Sequence, residues 1–142
     1  MVVAPPLMTR RAAALVAVAS VVVLAIGIWT LRTFDPNTAG SLFPPCLFFT
    51  LTGLYCPGCG LTRALHALVH FDLPRALAMN SLIVLSMPLW ALMAVHGGGG
   101  RPRLPVSAAR IVFDGRYWIA ALLLFGVARN LPWWPFVWLA PG

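Results

Sequence analysis

At 142 residues the chain has the length of a single domain, but only 9% of its residues are charged and 61% are hydrophobic. A soluble domain carries about 25% charged residues, so this composition excludes a water-exposed globule and indicates a membrane protein. The formal net charge of +7 comes from ten arginines spread between apolar segments. This spread favours membrane topology over nucleic-acid binding as their explanation.

The first predicted element is a transmembrane helix at about residues 12–31. These twenty residues carry no charge, and a helix of roughly 20 apolar residues crosses a bilayer core. Arg10 and Arg11 precede the run, as in a signal peptide. The run is longer than the apolar region of about 7–15 residues that a signal peptide has. We therefore interpret it as an uncleaved anchor, with Trp29 at the membrane interface.

Two further transmembrane helices are predicted, at about residues 77–95 and 117–131. Pro88 should kink the first of them, and the glycine run 97–100 should end it. The second ends among prolines and tryptophans, which are typical of an aromatic belt at the membrane surface.

The fold that these elements predict is all-α and polytopic, with a single membrane domain over residues 1–142. Three transmembrane helices are joined by a Cys-motif loop and a short amphipathic helix that follows a C-P-G-C-G turn, over about residues 44–72. The lipid bilayer is the first expected partner. Another membrane protein or a second copy of the chain is the candidate protein partner, and no nucleic acid is expected.

The arginines also predict an orientation. With three crossings, the N-terminus and residues 97–116 lie on one side with six arginines, and the other side holds four. Because positively charged segments stay in the cytoplasm, we expect a bacterial inner-membrane protein with a cytoplasmic N-terminus and its cysteines outside. The six are Arg10, Arg11, Arg101, Arg103, Arg110 and Arg116, and the four are Arg32, Arg63, Arg75 and Arg129.

The motif that carries chemistry is the turn Cys56-Pro57-Gly58-Cys59-Gly60. Pro57 fixes its own φ and Gly58 permits a positive φ, so both thiols should turn toward one side. A helix that begins near Cys59 would place Cys59, Arg63, His66 and His70 within about 40° of one another on one face.

Three interpretations of this motif stay open. A metal site would draw on Cys46, Cys56, Cys59, His66 and His70, with zinc or iron as the candidate ion. A thiol–disulfide site would use Cys56 and Cys59, because a helix N-terminus lowers the pKa of a thiol. A structural disulfide would only pin the loop to the helix.

Polar residues beyond the turn form a second group of candidates. With three crossings they lie on the same side of the membrane as the cysteines, and polar groups at membrane depth are functional candidates. The alternative is that Asp72 pairs with a nearby arginine and that the two asparagines cap helix ends. The group consists of Arg63, Asp72, Asn80, Arg129 and Asn130.

A family resemblance rests on several strings of the sequence. They are Pro45-Cys46, the run from Leu51 to Ala64 that contains the Cys-Pro-Gly-Cys-Gly-Leu-Thr-Arg string, Asp72, Ala76, Asn80, and Arg129-Asn130-Leu131-Pro132. Together they resemble the domain-of-unknown-function family 2752, which comprises short bacterial membrane proteins, over roughly residues 46–135. Ser81 departs from the pattern, since the family usually has Pro after the Asn. The resemblance implies a membrane location and a motif important to the family, and it implies no reaction, substrate or cofactor.

The functional prediction is therefore a non-enzymatic membrane component whose Cys turn is structural or metal-binding. Its alternative is a membrane thiol–disulfide protein.

Overall fold

The computed structural model describes residues 10–38, 40–41, 43–98 and 105–141. Within these ranges all regular secondary structure is helical, with no strand, which confirms the predicted all-α class. The helices are α1 (Arg10–Thr33), α2 (Leu47–Thr52), α3 (Leu61–Val69), α4 (Leu73–Gly97), α5 (Val106–Phe113), α6 (Gly115–Ala128) and a 3₁₀ helix (Phe136–Leu139).

Helix α1 is apolar along most of its length and contacts α3 through its C-terminal end, where the Leu31 carbonyl lies against His66 and the Arg32 side chain donates to the Val69 carbonyl. The part from Ala14 to Thr33 has no buried residue. Its hydroxyls bond within the helix, as Ser20 does to the carbonyl of Val16 at 2.8 Å. A helix whose polar groups are satisfied internally needs no water along its length.

Helix α4 is the second long apolar helix, and Asn80 interrupts it. Asn80 has φ −158° and ψ 88°, outside the helical region, whereas Pro88 keeps helical angles. The interruption in the backbone angles therefore lies at Asn80, and a kink of the helix axis at Pro88 stays a prediction. The helix begins at Asp72, whose carboxylate accepts a hydrogen bond from the backbone N–H of Arg75 at 3.0 Å.

The third predicted crossing, residues 117–131, is not confirmed. Helix α6 has 14 residues, which span about 21 Å, short of a bilayer core. Asp114 separates it from α5 with extended backbone angles, φ −94° and ψ 114°.

Among the described residues, two helices are therefore long and apolar enough to cross a membrane, Ala14–Thr33 and Leu73–Gly97. They suggest membrane association and fit contact with a lipid bilayer. Arg101 and Arg103, which entered the predicted orientation, lie outside the described residues.

The packed core lies where α3 meets α4. Its buried residues are mostly small, so the two backbones approach closely. They are Ala64, Ala67, Ala76, Met79 and Val84. This contact fixes the start of α3, and with it the Cys turn, against the interruption in α4.

Candidate metal centre

Three thiols meet at the start of α3. The sulfur atoms of Cys46, Cys56 and Cys59 all lie within 4.8 Å of one another. The Cys56 sulfur is 3.1 Å from that of Cys59 and 3.4 Å from that of Cys46. No disulfide joins them, so the structure has a trio of free thiols where a disulfide was one of the predicted alternatives.

Cys46 reaches the other two because the chain reverses direction after α2. The residue directly precedes α2, and the helix ends at Gly53, whose φ of 70° turns the chain. The rings of Phe49 and Tyr55 then stack with centroids 4.7 Å apart. This hairpin-like path returns the chain to Cys56, beside its starting point.

The Cys turn itself differs in two respects from the prediction. The positive φ belongs to Gly60 (79°), not to Gly58. Gly60 also caps α3, which begins at Leu61, so Cys59 lies outside the helix and does not share its face with Arg63, His66 and His70. Instead the backbone N–H of Cys56 donates to the Cys59 sulfur at 3.1 Å.

Asn80 and Arg129 hold the backbone of this turn from beneath. The Asn80 amide donates to the carbonyls of Pro57 at 2.9 Å and Cys59 at 3.1 Å. The Arg129 guanidinium donates to the carbonyls of Cys56 at 3.0 Å and Cys59 at 3.1 Å. Both side chains are fully buried. The interruption in α4 thus coincides with Asn80, whose side-chain amide binds the Cys turn.

Asn130 holds the chain just before the turn. Its amide oxygen accepts from the backbone N–H of Tyr55 at 2.8 Å, and its amide nitrogen donates to the carbonyl of Tyr55 at 2.8 Å. The same nitrogen donates to the carbonyl of Gly126 at 2.7 Å, which ties the turn to α6. Asn80 also caps the second part of α4 by accepting from Ile83 N–H at 3.1 Å.

The two histidines lie elsewhere. His66 Nδ1 is 2.7 Å from the carbonyl of Leu31, and its Nε2 is 3.7 Å from Asp35. The His70 ring packs on that of His66 with centroids 4.4 Å apart. They join α3 to the end of α1, and the structure does not bring them to the thiols.

Arg63 and Asp72 are exposed and take no part in the thiol site. Asp72 caps α4 and makes no ion pair, since the ion pair found in the described ranges joins His66 and Asp35. The structure thus shows Asp72 as a helix cap and does not show the alternative, its pairing with an arginine.

The environments of the thiols differ. Interaction with the backbone N–H of Phe49 and with the neighbouring Cys59 and Cys56 thiols lowers the pKa of Cys46 to about 7. Burial and hydrogen bonding to the other thiols raise the pKa of Cys59 to about 12. Without a bound metal, the thiol of Cys46 is therefore ionised more readily than that of Cys59.

The sulfur spacing fits one tetrahedral ion. Thiolate sulfurs about 2.3 Å from a tetrahedral ion lie about 3.8 Å from one another. This distance falls between the 3.1 Å that separates the sulfurs of Cys56 and Cys59 and the 4.8 Å within which all three sulfurs lie. The chain has three histidines and three acidic residues besides its cysteines. All lie in the described ranges, and none joins the trio.

Helical architecture and a trio of thiols define the class: an all-helical protein with long apolar helices and a candidate thiolate metal site. The family model described as "Protein of unknown function (DUF2752)" matches residues 46–94, which confirms the resemblance predicted from the sequence. The matched segment contains all three cysteines and most of α4. The search of curated proteins and the search of solved structures each found no match.

Two tertiary contacts escaped the sequence analysis, one at the thiol site and one at the histidines. Gly126 lies so close to the turn that a Cβ there would be 2.9 Å from the Pro57 ring, and Asp35 lies beside His66. Neither has a local signal, because each contact joins residues far apart in the chain.

Proposed function

We propose that this chain is an inner-membrane protein that binds one divalent metal ion, zinc in the first instance, through Cys46, Cys56 and Cys59. The observation that carries the proposal is the convergence of three sulfur atoms within 4.8 Å. Thiolates select zinc and other soft or borderline ions. The backbone N–H of Phe49 donates to the Cys46 sulfur and that of Cys56 to the Cys59 sulfur, and such donors stabilise thiolates.

Three ligands leave one position of a tetrahedral ion open. Since the histidines and aspartates lie away from the trio, the fourth ligand comes from water or from a partner molecule. An open position is the mark of a site that exchanges ligands, in contrast to a closed structural site. A membrane partner or a second copy of the chain is the expected donor.

Three crossings and an outward-facing thiol site belong to the same proposal. The C-terminal end of α6 meets the Cys turn through Arg129 and Asn130. Near its other end Trp118 lies 6.4 Å from Trp90 of α4, measured between ring centroids. This supports a return of the chain alongside α4, with α5 and α6 together making the third crossing.

The test is the metal content of the full chain purified without chelators. We expect about one zinc per chain, and we expect Cys46→Ser, Cys56→Ser and Cys59→Ser each to lose it. His66→Ala is the matched control and should keep its metal, because its ring contacts Leu31 and Asp35 instead. Absence of metal from the wild-type chain after zinc is supplied would refute the proposal.

The competing function is thiol–disulfide exchange with a partner protein. It is favoured by the 3.1 Å separation of Cys56 and Cys59 and by the unequal pKa values of Cys46 and Cys59. It predicts a chain with no metal and one free thiol. It also predicts that one Ser variant traps a mixed disulfide with a partner and the other does not.

A further inference from the structure

A buried cation lies directly beneath the three thiols. Arg129 is 1% exposed. Its guanidinium donates to the carbonyls of Cys56 and Cys59, and at 3.4 Å to that of Met79. A guanidinium stays protonated in proteins, so this is a fixed positive charge at the base of the site.

Among the residues that the structure describes, no carboxylate neutralises this charge. The acidic residues of the chain are Asp35, Asp72 and Asp114, and none forms an ion pair with Arg129 in the described structure. Its Nε has no hydrogen-bond partner there. The faces of Phe125 and Tyr55, with ring centroids 4.9 Å and 5.8 Å from its Cζ, supply only partial compensation. A buried charge without an anionic partner is unfavourable, so the described surroundings of Arg129 favour an anion beside it.

The thiolate centre is the anion that the geometry offers. A divalent ion that displaces three protons from three thiols leaves a complex with a net charge of minus one. The single positive charge of Arg129 then makes the metal, the three thiolates and the guanidinium neutral as a group. We propose that Arg129 is the counter-charge of the metal–thiolate centre and sets its preference for a divalent ion; this rests on the proposed metal function.

The hydrogen bonds of Arg129 also shape the turn, so the test must separate charge from scaffold. Arsenite does this, because As(OH)₃ condenses with three thiols to a neutral arsenic trithiolate and three waters. Arsenite binding therefore requires the thiol trio but creates no net charge. A divalent ion requires the same trio and creates one negative charge.

The experiment measures zinc and arsenite affinities of the full chain in detergent for wild type, Arg129→Gln, Arg129→Lys and Arg63→Gln. We expect Arg129→Gln to lower zinc affinity by about 10- to 100-fold and to leave arsenite affinity close to wild type. Arg129→Lys keeps the charge and should keep the wild-type ratio of the two affinities. Arg63→Gln removes the same charge from an exposed position near the motif and should change neither.

Equal losses of zinc and arsenite affinity in Arg129→Gln would overturn the inference, because the residue would then act only as a scaffold. Unchanged zinc affinity would overturn it as well. If Arg129→Gln binds neither zinc nor arsenite, Arg129→Lys becomes the deciding variant. A ratio of zinc affinity to arsenite affinity that is lower in Arg129→Lys than in wild type would then overturn the proposal that Arg129 is the counter-charge. Failure of the wild-type chain to bind zinc while it binds arsenite would refute the metal function itself, an outcome distinct from all of these.

Discussion

At the scale of single residues, Gly60 shows how tightly the Cys turn is packed. Its φ is 79°, and a Cβ there would lie 2.5 Å from the carbonyl oxygen of Met79. Gly53 has a similar φ of 70° but nothing within 4 Å of a Cβ. An alanine at Gly53 would therefore be destabilising through its backbone conformation alone, whereas an alanine at Gly60 would also clash with Met79.

We predict that Gly60→Ala destabilises the protein by more than about 2 kcal/mol and lowers metal occupancy. Gly53→Ala should cost only the conformational penalty of about 1–2 kcal/mol. Thermal unfolding of both variants in the same detergent, with metal analysis, checks this. Similar melting temperatures for the two variants would show that α4 yields to the added methyl group.

The unequal thiols give a second prediction for single residues. A pKa of about 7 leaves Cys46 half ionised at pH 7, whereas a pKa of about 12 keeps Cys59 protonated. Since only the thiolate is nucleophilic, alkylation of Cys46 should rise with pH and reach half its maximal rate near pH 7. Cys59 should stay almost unmodified up to pH 8.

Peptide mass spectrometry after timed iodoacetamide treatment of reduced, metal-free chain from pH 6 to 9 measures both rates. Equal rates for Cys46 and Cys59 would contradict the assignment. Bound zinc should protect both residues, because coordinated sulfur is a poorer nucleophile than a free thiolate.

At the scale of elements, Asn80 at the interruption in α4 connects this long apolar helix to the thiol site. The Asn80 oxygen caps the following turn through Ile83 N–H, and its nitrogen binds the carbonyls of Pro57 and Cys59. Asp at position 80 would keep the cap but lose both donors and place a carboxylate against two carbonyl oxygens. Asn80→Asp therefore isolates the contact with the Cys turn.

We predict that Asn80→Asp lowers stability by at least about 1–3 kcal/mol, the cost of buried unsatisfied polar groups, and lowers zinc affinity. Asp72→Ala is the matched control, since it removes an exposed cap of the same helix at a cost of about 1 kcal/mol. It should leave zinc affinity unchanged. Calorimetric zinc titration and thermal unfolding of both variants check this, and equal zinc affinity in the two would contradict it.

Elements differed in how far the sequence could predict them. Helices α1 and α4 follow from long apolar runs, because hydropathy is a local property that a bilayer selects directly. The interruption at Asn80 has no such signal. Pro88 carries the usual one, yet its backbone angles stay helical, whereas Asn80 leaves the helical region and donates to carbonyls more than twenty positions away in sequence.

At the scale of the whole molecule, the thiol site shows the limit of spacing arguments. The residue types alone were enough to mark five members of the site as candidates in the sequence. They are Cys56, Cys59, Asn80, Arg129 and Asn130. Their roles follow only from tertiary contacts. Cys46 joins the trio because the chain reverses direction after α2, a path that depends on Gly53 and on the stacking of Phe49 with Tyr55.

The histidines illustrate the reverse case. Their spacing of four suggested a chelating pair, but His66 is held by the end of α1, through Leu31 and Asp35. The packing of α1 against α3 cannot be derived from α3 alone. Sequence periodicity therefore located the helix and its polar face without locating what that face contacts.

The third crossing is a prediction about the whole chain. Helix α6 is too short to cross alone, but α5 and α6 follow α4 in the reverse direction. At one end the ring of Phe113 lies 4.6 Å from that of His96, centroid to centroid. At the other, Arg129 meets Met79 and the Cys turn. The third crossing requires α5 and α6, of 8 and 14 residues, to run in line across Asp114, since their combined length is then about 33 Å, enough for a bilayer core.

Three crossings place the two chain termini on opposite sides of the membrane, whereas two would place them on the same side. We predict that alkaline phosphatase, which is active only outside the cytoplasm, is active when fused after Gly142. Green fluorescent protein, which fluoresces only inside, should be dark there and bright when fused after Gly98. A fluorescent C-terminal fusion together with a fluorescent Gly98 fusion would mean that α5 and α6 lie on the cytoplasmic side. Arg129 could then not lie beneath an outward-facing Cys turn, so this one pair of fusions tests the predicted topology and the assembly of the thiol site together.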